Sequence, residues 1–194
     1  AALGVRALAA RRLGATASLL AGVAFLLQPA HAEVVAYVSG RSAGLMTALA
    51  IWCTRAHLEA VRADAPDARR AWTALSLLLL VLAALSKEVA LVVPLLAWIA
   101  SRWDAPDRPS RVGPLLACAG LLAVLLLLGF PRYRALAGWS LAQHGPLAAA
   151  AEHLSALPAQ LSLWFRPGAL SIVHAPGDGW VPPVLGLLLV LAGA

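Results

Sequence analysis

Long apolar runs separated by short polar segments dominate the sequence, and they limit the chain to a few kinds of fold. The runs cover residues 13–27, 42–54, 71–85, 89–100, 112–130 and 180–194. Charged residues make up 12% of the chain, against about 25% in a typical soluble domain. Inside a bilayer every backbone polar group must be satisfied within the protein, and an α-helix does this within its own segment. The sequence therefore predicts an all-α polytopic membrane bundle with about six transmembrane segments.

The arginines alternate between the two ends of this predicted bundle. Ten of the fifteen basic residues lie in three polar segments, 1–12, 55–70 and 101–111. Short loops rich in Lys and Arg stay on the cytoplasmic side of a membrane. These segments are therefore predicted to be cytoplasmic loops of a multi-pass protein of the cell (inner) membrane. The alternate segments 28–41, 86–88 and 132–179 then share the extracytoplasmic side.

Two further predictions follow from composition. Residues 131–179 mix prolines, polar residues and a moderately apolar piece at 146–165, which indicates an extracytoplasmic loop with a surface helix. The basic residues are spread over several loops and form no single patch, so nucleic acid is not an expected partner. Cys53 and Cys118 lie inside apolar runs and form no spaced pair, which indicates buried small side chains.

The polar stretch 28–41 interrupts the apolar pattern where a membrane helix ends. It carries His31, Glu33, Tyr37 and Arg41. Ionisable groups at membrane depth cost roughly 2.5–3.5 kcal/mol each, so they are usually paired or functional. If the stretch is helical, Glu33, Tyr37 and Arg41 are spaced four residues apart and lie on one face of the helix. An interfacial turn whose charges face water is the alternative interpretation.

Further charges lie on the same predicted side, at Lys87 and Glu88 and at Arg132 and Arg134. Mixed charges at the ends of short helices indicate a site for an anionic, lipid-linked substrate. Arg binds phosphate oxygens through a bidentate fork and Lys binds them as a point charge, while a carboxylate binds a hydroxyl or a metal. The alternatives are a solvated turn for Lys87 and Glu88, and interfacial snorkelling for the two arginines.

Two motifs carry a family resemblance. Residues 28–41 read Gln-Pro-Ala-His-Ala-Glu-Val-Val-Ala-Tyr-Val-Ser-Gly-Arg, and residues 86–88 read Ser-Lys-Glu with Pro94 six residues later. The first resembles the HPxHTExVAxxxGR motif of the transmembrane and tetratricopeptide-repeat O-mannosyltransferase family, and the second resembles the SKE/CKE motif of that family. Gln28 and Ala32 stand where the family has His and Thr. The two motifs occur in the family's order, and the resemblance covers roughly residues 13 to 170.

The resemblance implies a GT-C type glycosyltransferase of the inverting class. Such an enzyme transfers a mannose-like sugar from a polyprenyl-phosphate donor to an acceptor hydroxyl of a protein or glycan, on the extracytoplasmic side. Residues 1–194 would form part of one GT-C-like transmembrane domain. The resemblance also implies a catalytic Asp in a loop upstream of Ala1 and tetratricopeptide repeats downstream.

Site roles can be assigned on this interpretation. Glu33 and His31 are the candidate catalytic residues, positioning the acceptor, the sugar or a divalent metal ion, which is a candidate cofactor. Candidate groups for the substrate and its lipid phosphate are Arg41, Lys87, Glu88, Tyr37, Arg132 and Arg134. The alternative is a non-enzymatic transporter or membrane scaffold in which these charges pair structurally. The inverted repeats that many transporters show are not visible in the sequence.

Overall fold

The computed structural model describes residues 1–28 and 38–135, together with isolated helical positions at 138, 139, 142, 145, 148, 151 and 154. The chain forms two compact units, residues 1–126 and 127–194. The described residues are helices and their connections, without a strand, so the predicted all-α class is confirmed for them.

Six α-helices and one 3-10 turn make up the described chain as far as Gly129. They are α1 Ala2–Ala9, α2 Ala15–Leu26, α3 Val38–Arg62, α4 Pro66–Ser86, the 3-10 turn Glu88–Val92, α5 Val93–Asp104 and α6 Gly113–Gly129. The apolar runs predicted at 13–27, 42–54, 71–85 and 112–130 correspond to α2, α3, α4 and α6. The run at 89–100 corresponds to the 3-10 turn and most of α5.

The prediction of a polar loop over 55–70 is wrong for most of its length. Helix α3 continues through Arg62 and α4 begins at Pro66, which leaves three connecting residues. No Gly or Pro interrupts residues 55–62, and Arg55 lies 3.5 Å from Glu59 in an i,i+4 ion pair. Residues of high helix propensity and this pair favour helix over loop. Pro66 lies at the start of α4, where its missing N–H costs no hydrogen bond.

Pro94 explains why the short run at 89–100 is not a single α-helix. A proline inside an α-helix loses a hydrogen bond and clashes with the carbonyl four residues earlier. The chain accordingly forms the 3-10 turn first, and α5 starts at Val93 with Pro94 in its first turn. This arrangement separates the end of α4 from α5 by a tight, irregular connection.

Helices α3 and α4 form an antiparallel hairpin that is the centre of the first unit. Cys53 of α3 donates a hydrogen bond to the carbonyl oxygen of Ser76 in α4 at 3.2 Å, which fixes their register. The 3-10 turn contacts α3, α4 and α5. The buried cluster between these elements and the start of α6 contains Cys53, Leu80, Ala83, Ala84, Ala90, Val93, Ala97, Val112, Leu115 and Ala119. Small side chains make up half of it, so the helix axes can approach closely.

Helices α1 and α2 pack together, and α1 also contacts α3. Gly4 makes the α1–α3 contact close, since a Cβ built at this position would lie 2.6 Å from Cγ2 of Ile51. On α2, a Cβ at Gly22 would lie 3.1 Å from Cβ of Arg6. A larger residue at either position would push these helices apart.

Apolar side chains cover much of the outside of the first unit. Among the described residues, α4 is the one helix long and apolar enough to cross a membrane, and α2 and α6 are apolar but shorter. Leucines on all three helices are exposed: Leu19, Leu20 and Leu26 on α2, Leu78, Leu82 and Leu85 on α4, and Leu116, Leu121 and Leu125 on α6. An exposed apolar surface of this extent is typical of a protein that meets lipid or another apolar partner.

Candidate functional site

Three of the predicted site residues, His31, Glu33 and Tyr37, lie outside the described part of the chain. Their roles stay predictions. The remaining candidates are Arg41, Lys87 and Glu88 in the first unit, and Arg132 and Arg134 in the second.

The α3–α4 hairpin brings Arg41 and Lys87 to the same end of the first unit. Arg41 lies twelve residues before Cys53, and Ser86 lies ten residues after Ser76. At 1.5 Å per residue these separations are about 18 and 15 Å, measured from the hydrogen bond that joins the two helices. Arg41 and the Ser86–Lys87 junction are therefore at nearly the same height. Because packed helix axes are about 8–10 Å apart, the two cations are on neighbouring helix ends.

The backbone around Lys87 changes direction sharply. Lys87 is extended, with φ −163° and ψ 133°, between the end of α4 and the 3-10 turn. Its N–H donates to the carbonyl of Ala83 at 2.9 Å, and its own carbonyl accepts from the N–H of Ala90 at 3.1 Å. The Ser86 hydroxyl donates to the carbonyl of Leu82 at 2.9 Å. The Ser-Lys-Glu sequence is thus a helix end held by backbone hydrogen bonds, with Lys87 half-buried and Glu88 exposed.

The charges at this end are not neutralised within the described chain. Arg41, Lys87 and Glu88 form no ion pair with any described residue. Arg41 is exposed in the first turn of α3. Two cations at one helix-bundle end, neither paired with a carboxylate of the described residues, can bind an anion such as a phosphate.

Arg132 and Arg134 belong to the second unit. They are exposed on a helical turn at 131–135, within the segment that was predicted to be a loop. Tyr133 between them packs edge-on against Phe130, with ring centroids 6.0 Å apart at 85°. Residues 155–179, including most of the predicted surface helix, lie outside the described chain.

Sequence reasoning missed an ion-pair cluster at the other end of the first unit, centred on Arg11. Arg11 binds Asp104 through Nε at 3.2 Å and Nη2 at 2.9 Å, and it binds Glu59 through Nη1 at 2.6 Å. Arg11 and Asp104 side chains are 8% and 7% exposed. Burial alone would lower the pKa of Arg11, but its hydrogen bonds and attraction to Asp104 and then Glu59 outweigh this and raise it.

Further arginines extend this cluster. Arg62 donates to Oδ1 of Asp104 at 2.8 Å, and Arg108 lies 3.1 Å from Asp64 while donating to the carbonyl of Arg62. Arg55 donates to the carbonyl of Ala7 at 2.8 Å. The three arginine-rich segments predicted on one side of the bundle therefore meet at one end of it. The cluster links the end of α1 to α3 and α5 and so stabilises the packing of these helices.

His57 is a second feature that the sequence did not indicate. It lies beyond the predicted span 42–54, on the turn that holds Arg55 and Glu59, and is buried. Its Nε2 has no hydrogen-bond partner among the described residues.

Comparison of the chain with known protein families, with curated proteins and with solved structures returns no match. The functional assignment therefore rests on the motifs and on the geometry.

Proposed function

We propose that the chain is part of a membrane glycosyltransferase of the GT-C type. It transfers a mannose-like sugar from a polyprenyl-phosphate donor to an acceptor hydroxyl on the extracytoplasmic side. The observation that carries the proposal is the placement of Arg41 and Lys87 at the same bundle end, level with each other and without a carboxylate partner among the described residues. Both cations belong to the two motifs that resemble the O-mannosyltransferase family.

The dimensions of the first unit support a polytopic membrane placement. From Arg41 to Arg62, α3 extends about 32 Å, and α4 extends about 30 Å. The hydrocarbon core of a bilayer is about 30 Å thick. On this placement the hairpin would cross the hydrocarbon core, with the Arg41–Lys87 end on one side and the Arg11 cluster on the other. The exposed leucines of α2, α4 and α6 then face lipid.

The negative charge that the lipid phosphate gains during the reaction explains why cationic side chains would lie beside it. A general base takes the proton of the acceptor hydroxyl, and the oxygen forms a bond to the anomeric carbon as the bond from that carbon to the phosphate oxygen breaks. The phosphate leaves with one more negative charge than it had in the donor. Arg41 and Lys87 stabilise that charge, which is larger in the transition state than in the bound donor. Glu33 and His31 position the acceptor, sugar or a divalent ion.

Binding of the product-like lipid tests the anion site without needing the whole reaction. We expect polyprenyl phosphate to bind the detergent-solubilised chain more tightly than the polyprenol that lacks the phosphate. Arg41→Gln should weaken phosphate-dependent binding about tenfold or more, because a hydrogen bond to a charged group contributes roughly 1.5–3 kcal/mol.

Arg70→Gln is the matched control. Arg70 is also exposed, but it lies near the start of α4, at the opposite end of the unit, and is already paired with Asp67. Equal binding of polyprenol and polyprenyl phosphate, or equal losses in the two variants, would contradict an anion site at Arg41.

A transporter or scaffold remains the alternative function. It is favoured by one observation, the extensive ion pairing around Arg11, which shows that charges of this chain do fix helix packing. Arg41 and Lys87 differ from that cluster in having no such partner within the described residues.

A further inference from the structure

Most arginines at the Arg11 end of the first unit fall into two groups. One group is held by carboxylates of the same end and consists of Arg11, Arg12, Arg55, Arg62 and Arg108. A second group, here called the outer arginines, consists of Arg69, Arg102 and Arg111. Their side chains form no ion pair or hydrogen bond with any described residue, although Arg70 beside them does pair with Asp67.

The outer arginines lie at the ends of three different helices. Arg69 lies in the first turn of α4, Arg102 in the last turn of α5, and Arg111 in the connection just before α6. Arg102 and Arg111 are exposed and Arg69 is half-buried. The three arginine-rich segments together contain ten arginines and five acidic residues, so the excess of charge at this end is positive.

Tryptophans mark the depth of these arginines in a bilayer. Trp72 lies three residues after Arg69 on the same face of α4, and Trp103 follows Arg102. Their side chains are 38% and 54% exposed. Exposed tryptophans concentrate at the level of lipid headgroups, where the ring meets the apolar region and the N–H meets water.

We infer that the outer arginines form a binding surface for anionic phospholipid headgroups. Unpaired guanidiniums at headgroup depth, flanked by interfacial tryptophans, match the charge and position of phosphate-bearing lipids of the cytoplasmic leaflet. The nearby open depression of about 410 Å³, lined by Arg62, Asp104, Asp107 and Arg108 among others, is less suited to an anion. Both of its arginines are already bound to carboxylates.

The inference rests on the proposed membrane placement but not on glycosyl transfer. Flotation of the chain with neutral phosphatidylcholine vesicles is therefore the first measurement. A chain that does not float would refute the membrane placement. A chain that floats but shows no preference for anionic lipid would refute only the lipid-binding surface.

The preference is measured by lipid-dependent melting in a mild non-ionic detergent. A ligand that binds the folded state raises its melting temperature by an amount that grows with the logarithm of the ligand concentration divided by the dissociation constant. We expect phosphatidylglycerol to raise the melting temperature more than phosphatidylcholine does at the same mole fraction. Each arginine near an anionic surface contributes about fivefold in affinity. The variant Arg69→Gln/Arg102→Gln/Arg111→Gln should lose most of the preference, and added salt should reduce it in the wild type.

A charge-neutral double variant, Asp67→Asn/Arg70→Gln, is the matched control. It removes an ion pair from the same turn of α4 and keeps the net charge, so the preference for phosphatidylglycerol should persist. The inference is overturned if the triple variant retains the wild-type preference, which would place the anionic lipid elsewhere. It is also overturned if the control loses the preference as completely as the triple variant does. Single arginine variants, each expected to lose part of the preference, replace the triple variant if that protein does not fold.

Discussion

Replacing Arg41 by Ala, or Lys87 by Met, in the full-length protein is expected to slow sugar transfer by about 10²–10³-fold. Each change removes one positive group placed where the leaving phosphate gains charge. Melting should change little, because Arg41 is exposed and neither cation is paired with a described residue. Transfer from a polyprenyl-phosphate sugar and melting in detergent are measured on the same preparations.

The two functional hypotheses predict opposite results for these variants. In a scaffold the cations would neutralise Glu33 or Glu88, and removing one would leave an unpaired acid near the membrane. Stability should then fall by a few kcal/mol, with no specific effect on a transfer reaction. Arg70→Ala is the control for loss of an exposed arginine from the opposite end. Normal transfer in both variants, or melting that collapses in both, would exclude the proposed role of Arg41 and Lys87.

The helical architecture was largely predictable because it depends on local sequence. Apolar runs without a charged residue predicted α2, α4 and α6 to within five residues at each end. The prediction failed where a polar segment is helical. Residues 55–62 have the composition of a loop by charge but the propensities of a helix, and charges of Glu59 and Arg62 are neutralised by tertiary contacts with Arg11 and Asp104. Hydropathy alone does not report those contacts.

The candidate anion site was predictable in part. The motifs indicated Arg41 and Lys87, but only the antiparallel register of α3 and α4 places them at one height. The Arg11 cluster was not predictable, because Arg11 is 93 residues from Asp104 and 48 from Glu59. Pairing over such separations depends on which helices pack together. Sequence periodicity does not determine this.

That cluster gives the largest expected effect on stability. Asp104→Asn should lower the free energy of unfolding by about 2–4 kcal/mol, since breaking a buried ion pair leaves a charge without compensation. We expect a smaller loss than the largest known for broken buried ion pairs, because Glu59 still binds Arg11. For a chain of this size the loss corresponds to a decrease in melting temperature of roughly 5–15 °C.

Asp67→Asn is the matched control for Asp104→Asn. Asp67 also pairs with an arginine, Arg70 at 3.5 Å, but its side chain is 95% exposed. Exposed pairs gain little because water solvates both charges, so its melting should equal that of the wild type.

A double-mutant cycle with Arg11→Met separates the pair from its surroundings. If Arg11 and Asp104 act together, the double variant should lose less stability than the sum of the losses in the two single variants. Each single variant leaves one charge without its partner, whereas the double variant removes both charges. Strict additivity would show that the two residues stabilise the bundle independently. An Asp104→Asn protein that melts like the Asp67→Asn protein would show that the buried cluster contributes no more than a surface pair.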